Sequence, residues 1–253
     1  MQTAQRQPAE GHNAAAASLS EVSKLYGNFA ALRKVTVEFA PGSCTMVLGD
    51  NGAGKSTLLR LLAGLISPTR GAVEVFNDEP HNQRRRVAYM SHEAMLYDEL
   101  SAMENLRYFA SLQLQRGFAC SCTASPEMAL RAVGLDPTLT RPVGQYSQGM
   151  KQRASLARVL QADPELLLLD EPFSNLDVAS SRHMVELLMD FRTWPVERAP
   201  SHAQPNANPG VRTIILTTHQ AHLAESLVDR TLTMRAGSIV SSTDTPPAHS
   251  VGL

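Results

Sequence analysis

The nine residues Gly49-Asp50-Asn51-Gly52-Ala53-Gly54-Lys55-Ser56-Thr57 leave this chain few folds to choose from. They follow the β-type run Cys44 to Leu48 and precede Thr57-Leu58-Leu59-Arg60-Leu61-Leu62-Ala63, strong helix formers that Gly64 or Pro68 can stop. Strand, glycine-rich loop and helix in that order make a phosphate cradle. The glycines let successive backbone N–H groups curl around phosphate oxygens, and the helix adds the positive end of its dipole. In the pattern G-x-x-x-x-G-K-S, Lys55 reaches the β- and γ-phosphates and Ser56 offers its hydroxyl to Mg2+. By itself the stretch predicts binding of a nucleotide with Mg2+.

A second stretch, Leu166-Leu167-Leu168-Leu169-Asp170-Glu171, is wholly apolar and ends in two acids. Such a run fits a parallel strand covered on both faces, whose carboxylates emerge at the sheet edge where open α/β folds bind ligands. Asp170 is expected to hold Mg2+, directly or through water. Glu171 is the expected general base for an attacking water. Taken alone, an apolar strand ending in Asp-Glu is as readily structural.

Leu32 to Phe39 and Cys44 to Leu48 read as strands separated by Pro41-Gly42, and Thr213 to Thr218 is a further β-branched run. Between them, Asp98 to Leu160 is helical in pattern. Ser101 and Glu104 form a capping box, and Ser125-Pro126 opens a helix that Gly134 can end. A parallel-sheet core thus brackets a helical insertion. Pro195, Pro200, Pro205 and Pro209 make residues 194–212 an expected flexible loop, and residues 1–18 and 242–253 read as disordered tails.

Composition limits the partners. The 253 residues include 23 basic and 24 acidic ones, interspersed, for a net charge of -1, so no overall field favours nucleic acid or an anionic membrane surface. No run approaches the roughly 18 to 20 apolar residues that cross a bilayer. The N-terminal stretch lacks the apolar core of a signal peptide. Cys44, Cys120 and Cys122 cannot all pair and lack a zinc-like spacing, so they read as reduced thiols.

Downstream of the glycine-rich loop stand Tyr146-Ser147-Gln148-Gly149-Met150-Lys151-Gln152-Arg153, the acidic strand, Ser174-Asn175-Leu176-Asp177, and Thr217-Thr218-His219. In that order and spacing they resemble the ATP-binding-cassette family over about residues 19 to 241. The resemblance implies an α/β fold class: a P-loop NTPase core with a mainly parallel sheet, an N-terminal antiparallel β subdomain and an inserted helical subdomain at about 92–160. It makes Ser147 and Gly149 part of a signature loop, Asp177 the acid of the D-loop and His219 the switch histidine. It also implies a second copy of the cassette, packed head to tail in the presence of ATP, so that nucleotide on Lys55 is closed by Ser147 of the other copy. Ser147 as a simple helix cap, Asp177 as a turn residue and His219 as a solvated strand-end residue are the plain alternatives. Tyr26, in Lys24-Leu25-Tyr26-Gly27, matches the family's adenine-stacking aromatic, or is a packed strand tyrosine.

Two departures stand out. Where the family usually places glutamine, after Tyr89-Met90-Ser91, this chain has His92, which either contacts nucleotide or serves as a structural joint. The signature carries Tyr146, Gln148 and Met150 at positions usually held by leucine, glycine and glutamine, while Ser147 and Gly149 are kept, so activity is expected. A cassette with no membrane span implies integral-membrane transporter subunits as partners and a cytoplasmic, peripheral place on the inner face of the cell membrane. The segment from Tyr89 to Phe109, His92 included, is similar to haem-exporter ATPases of bacterial cytochrome c maturation. The signature also resembles ATPases that export drugs, lipids or polysaccharides. A cassette ATPase of translation or DNA repair is disfavoured by the single cassette and the lack of heptads or a basic patch.

Overall fold

A computed structural model of the chain describes residues 15–115, 125–193 and 212–244. The larger of two sheets contains β3 (Cys44–Leu48), β5 (Val87–Met90), β6 (Leu166–Asp170), β7 (Thr213–Thr217), β8 (Arg230–Arg235) and β9 (Ser238–Asp244). Its strand order is β5-β6-β7-β3-β8-β9, parallel throughout except for the antiparallel edge strand β9. The four leucines of β6 show why this sheet needs cover on both sides. Leu166 and Leu168 enter one apolar cluster, Leu167 and Leu169 the other, and all four are fully buried.

The first cluster fills with α1 (Lys55–Leu62) and a three-stranded antiparallel sheet of β2 (Phe29–Phe39), β1 (Ala17–Tyr26) and β4 (Arg70–Val75), in the order β2-β1-β4. β1 begins at Ala17, and the Ala16 amide donates to the Phe39 carbonyl, so the end of the expected tail belongs to the sheet. Short alanines fit between the flanking strands, where Ala16 and Ala17 are each 1% exposed. At the other end β9 runs to Asp244, past the expected boundary at 241. Residues 1–14 and 245–253 of the expected tails lie outside the described residues.

The second cluster lies under α2 (Ala102–Gln115), α3 (Pro126–Ala132), α4 (Gln148–Gln161) and α5 (Val178–Thr193). Helix α2 starts at the capping box. The Ser101 amide and hydroxyl donate to Glu104 Oε2 at 2.8 Å each, and the Glu104 amide returns to Ser101 Oγ at 3.2 Å. Ser125 caps α3 through the Met128 amide. Buried Asn105 ties the preceding loop to α2, accepting from the Tyr97 amide and donating to the carbonyls of Tyr97 and Ser101.

Arg212 corrects one expectation. Placed by composition at the end of a flexible loop, it is 1% exposed, donates to the Pro164 carbonyl, pairs with Asp163 and lies over the Phe191 ring. A planar guanidinium can be buried where carbonyl, carboxylate and aromatic face are all supplied, and those partners are distant in sequence. The remainder of that loop, residues 194–211, lies outside the described residues, as do Cys120 and Cys122. Cys44 is a free, buried thiol whose burial pushes its pKa well up. Among the described residues no helix is long and apolar enough to cross a membrane.

Candidate nucleotide-binding site

β3 ends at Leu48 in the middle of the parallel sheet, and the glycine-rich loop turns from there into α1. Gly54 makes the turn possible. Its φ is 103°, and a Cβ there would sit 2.5 Å from the Ala31 carbonyl oxygen. At Gly52 a Cβ would instead meet open space, because this part of the loop faces a cleft of about 810 Å³. Helix α1 has Gly54 at its N-cap and no side-chain cap, leaving first-turn amides directed to the cleft.

The cleft brings together Tyr26, Asn51 through Thr57, His92, Asp170, Glu171 and His219. Lys55 is 7% exposed, and its ammonium donates to the carbonyls of Gly49 at 2.6 Å and Asp50 at 3.1 Å. The loop's own carbonyls thus satisfy the cation's hydrogen bonds. Tyr26 and Phe29 pair across the first hairpin and are 46% and 60% exposed at the cleft wall. His92 is exposed on the same cleft, in the connection after β5.

The two acids come off the end of β6. Asp170, 2% exposed, accepts from Thr217 Oγ1 at 2.8 Å and from Tyr89 Oη at 3.2 Å. Burial, and next the Asp170 carboxylate, push the Tyr89 phenol up to about 12, so at neutral pH it stays a donor. Glu171 has a positive φ of 54° and turns the chain out of the strand. Its amide meets both the carbonyl and Oγ1 of Thr217, and its Oε2 accepts from the His219 amide at 3.1 Å. His219 Nε2 lies 3.1 Å from Glu171 Oε1, at ion-pair distance but without hydrogen-bond alignment.

Ser147, Gly149 and Asp177 do not line this cleft. Ser147 caps α4, its Oγ accepting from the Met150 amide at 3.3 Å. Gly149 faces the loop before α5, where a Cβ would lie 3.3 Å from the Asn175 carbonyl. Asp177 opens α5. The Ser180 amide donates to its Oδ1 at 2.7 Å and holds the carboxyl below the usual carboxylate range. Thr217, Tyr89 and Gln152 touch the two acids; they lie within the sequence motifs, which give them no role of their own.

The family described as ABC transporter matches residues 32–174. A fluoroquinolones export ATP-binding protein of Mycobacterium tuberculosis is 36% identical over 215 residues, covering 83% of this chain and 64% of that protein. The ATP-binding protein NatA of Bacillus subtilis is 30% identical, covering 83% and 80%. The phosphonates import protein PhnC of Thiobacillus denitrificans is 32% identical, covering 89% and 86%. The chain spans a little under two thirds of the length of the fluoroquinolones export and sulfate/thiosulfate import relatives, 64% and 63%. Among solved structures, the dimeric cassette MJ0796 bound to ADP and Pi superposes with a TM-score of 0.73 at 24% identity, covering 90% of this chain and 98% of that one. An ATP-binding subunit of an ABC transporter superposes at 0.72 with 26% identity, covering 90% and 89%. With its P-loop, its acidic strand end and this fold, the chain belongs to the ABC transporter family, as one of its ATP-binding cassettes.

Proposed function

We propose that this chain binds and hydrolyses ATP to drive an exporter built with separate integral-membrane subunits, and that its cargo is haem for cytochrome c-type biogenesis. The observation that carries the ATPase reading is the shared cleft of Lys55, Ser56, Asp170 and Glu171. In this reading the Lys55 ammonium exchanges the Gly49 and Asp50 carbonyls for β- and γ-phosphate oxygens, and Asn51 through Thr57 wrap the phosphates with backbone amides. Tyr26 offers its exposed ring to adenine. Glu171 takes the proton of the attacking water, and His219, beside its carboxylate, orients it and the γ-phosphate.

Ser56 and Asp170 suit Mg2+, because both present hard oxygens to the cleft and this ion keeps waters and phosphate oxygens for its remaining positions. When bound, it would neutralise charge developing on the phosphoryl oxygens. Asp170 is ready for that role, its carboxylate aimed by two neutral hydroxyls.

Ser147, Gly149 and Asp177, standing away from the cleft, support a composite site in which a second copy brings its signature loop to the nucleotide on Lys55. The ATPase unit then runs from β1 through β9, with α2 to α4 as its helical part, and sits in the cytoplasm against the inner face of the cell membrane. His92 at the joint, within the segment Tyr89 to Phe109, supports haem export, and its exposure on the cleft supports contact with nucleotide. A second reading, export of a drug, lipid or polysaccharide, is supported by the 36% identity to a fluoroquinolones export protein. Affinity purification from detergent extracts, with identification of the co-purifying membrane proteins, tests the proposal. Cytochrome c assembly proteins are expected. Membrane subunits of a drug exporter would favour the second reading, and recovery of no membrane protein would count against both.

A further inference from the structure

Glu171 stands in a left-handed backbone conformation, φ 54°, that a residue with a Cβ adopts only where its surroundings over-determine it. On one side those surroundings are Thr217, which takes the Glu171 amide. On the other side the Glu171 carbonyl accepts from the Ser174 amide at 3.1 Å and from one side chain. Gln152 Nε2 donates to the carbonyl of Glu171 and to that of Pro172, each at 3.1 Å. Gln152 is 4% exposed, and its two amide hydrogens match the two carbonyls. It stands in α4, the helix capped by Ser147, so the helix that begins at the signature also grips the backbone that aims the acid.

We propose that Gln152 is a positioning residue for Glu171: by holding both carbonyls of the turn it fixes the direction in which the Glu171 carboxylate enters the cleft. The inference rests on Glu171 being the base. Losing the amide leaves the Glu171 carbonyl with the Ser174 amide alone and removes the donor to the buried Pro172 carbonyl, and the turn relaxes toward ordinary backbone angles. Nucleotide contacts made by the P-loop and Tyr26 are untouched, so ground-state binding stays while the attacking water loses its aligned acceptor. A misplacement of about 1 Å at such a base costs roughly ten- to a hundredfold in rate.

The test compares Gln152→Met, similar in shape and without the donor, with Glu171→Gln and Leu156→Ala, using the full chain at concentrations where it dimerises. Leu156 is fully buried in α4 and touches neither acid among the described contacts, so its variant reports loss of packing alone. Expected for Gln152→Met is a kcat lower by about tenfold or more, with KM for ATP and nucleotide affinity within about twofold. Leu156→Ala is expected to lower the melting temperature and keep kcat within about twofold. If Glu171→Gln abolishes turnover while Gln152→Met keeps kcat within about threefold, the inference fails and the base assignment stands. A fall in kcat for Leu156→Ala equal to that for Gln152→Met would reduce Gln152 to packing and overturn the proposal. Unchanged turnover in Glu171→Gln would remove the base and the inference together.

Discussion

Thr217→Val is a demanding test of how the acidic strand end is held. Thr217 is fully buried on β7, and its Oγ1 serves both acids, donating to Asp170 at 2.8 Å and accepting from the Glu171 amide at 3.0 Å. Valine fills the same volume and removes both contacts. The Glu171 amide keeps the Thr217 carbonyl at 3.1 Å, so the main loss is one hydrogen bond to a buried carboxylate, about 1.5–3 kcal/mol. At about 2–4 °C per kcal/mol for a domain of this size, melting should fall by about 3–12 °C. Because Thr217 Oγ1 also orients the proposed Mg2+ ligand, half-maximal turnover should need about tenfold more Mg2+. Thermal denaturation without nucleotide and an Mg2+ titration of ATP turnover read the two effects, with Thr217→Ser expected to keep both near wild type. Melting of Thr217→Val within about 1 °C of wild type, with the same Mg2+ requirement, would show that this hydroxyl does not hold the carboxylate.

Three further outcomes are expected. Lys55→Met should weaken ATP binding by about a hundredfold or more, measured by equilibrium titration, because the loop then lacks the cation that meets the β- and γ-phosphates. In a chain with serine at positions 120 and 122, Cys44 should stay unreactive to a thiol reagent at pH 8 until the protein unfolds, since burial pushes its pKa up and no thiolate forms; rapid labelling of the native protein would contradict the buried placement. Ser101→Ala should cost stability at neutral pH and progressively less in acid. The Ser101 amide and hydroxyl hold the Glu104 carboxyl below its usual 4.5, so the contribution is complete above that value and is lost as pH falls through the lower folded pKa; a stability difference that grew on acidification would have the wrong sign.

The parts of the site that were legible in the sequence are those made by neighbours along the chain. The glycine-rich loop, the capping box of Ser101 and Glu104, the cap at Ser147 and the double-faced burial of Leu166 to Leu169 each depend on residues within a turn or a strand, where steric rules and periodicity act directly. The expected tail failed at Ala16 and Ala17 because small apolar residues carry little strand signal until two flanking strands exist to cover them. Arg212 failed because composition reports average exposure, and the residues that satisfy its charge are brought to it only by the packed fold.

From sequence alone, then, came the identity of the phosphate loop, the two acids and the order of the cassette motifs. What the tertiary structure decided is how the acids are held and which motifs share a cleft. The placement of β6 between β5 and β7 sets Thr217 opposite Asp170 and brings Tyr89 and Gln152 to the same strand end, contacts that span 47, 81 and 19 positions of chain. The same arrangement leaves Ser147, Gly149 and Asp177 off the cleft lined by Lys55. Periodicity identifies strands and their buried faces, whereas the order in which parallel strands stack follows from the packing of the whole chain, and the site's supporting hydroxyls and amide follow from that order.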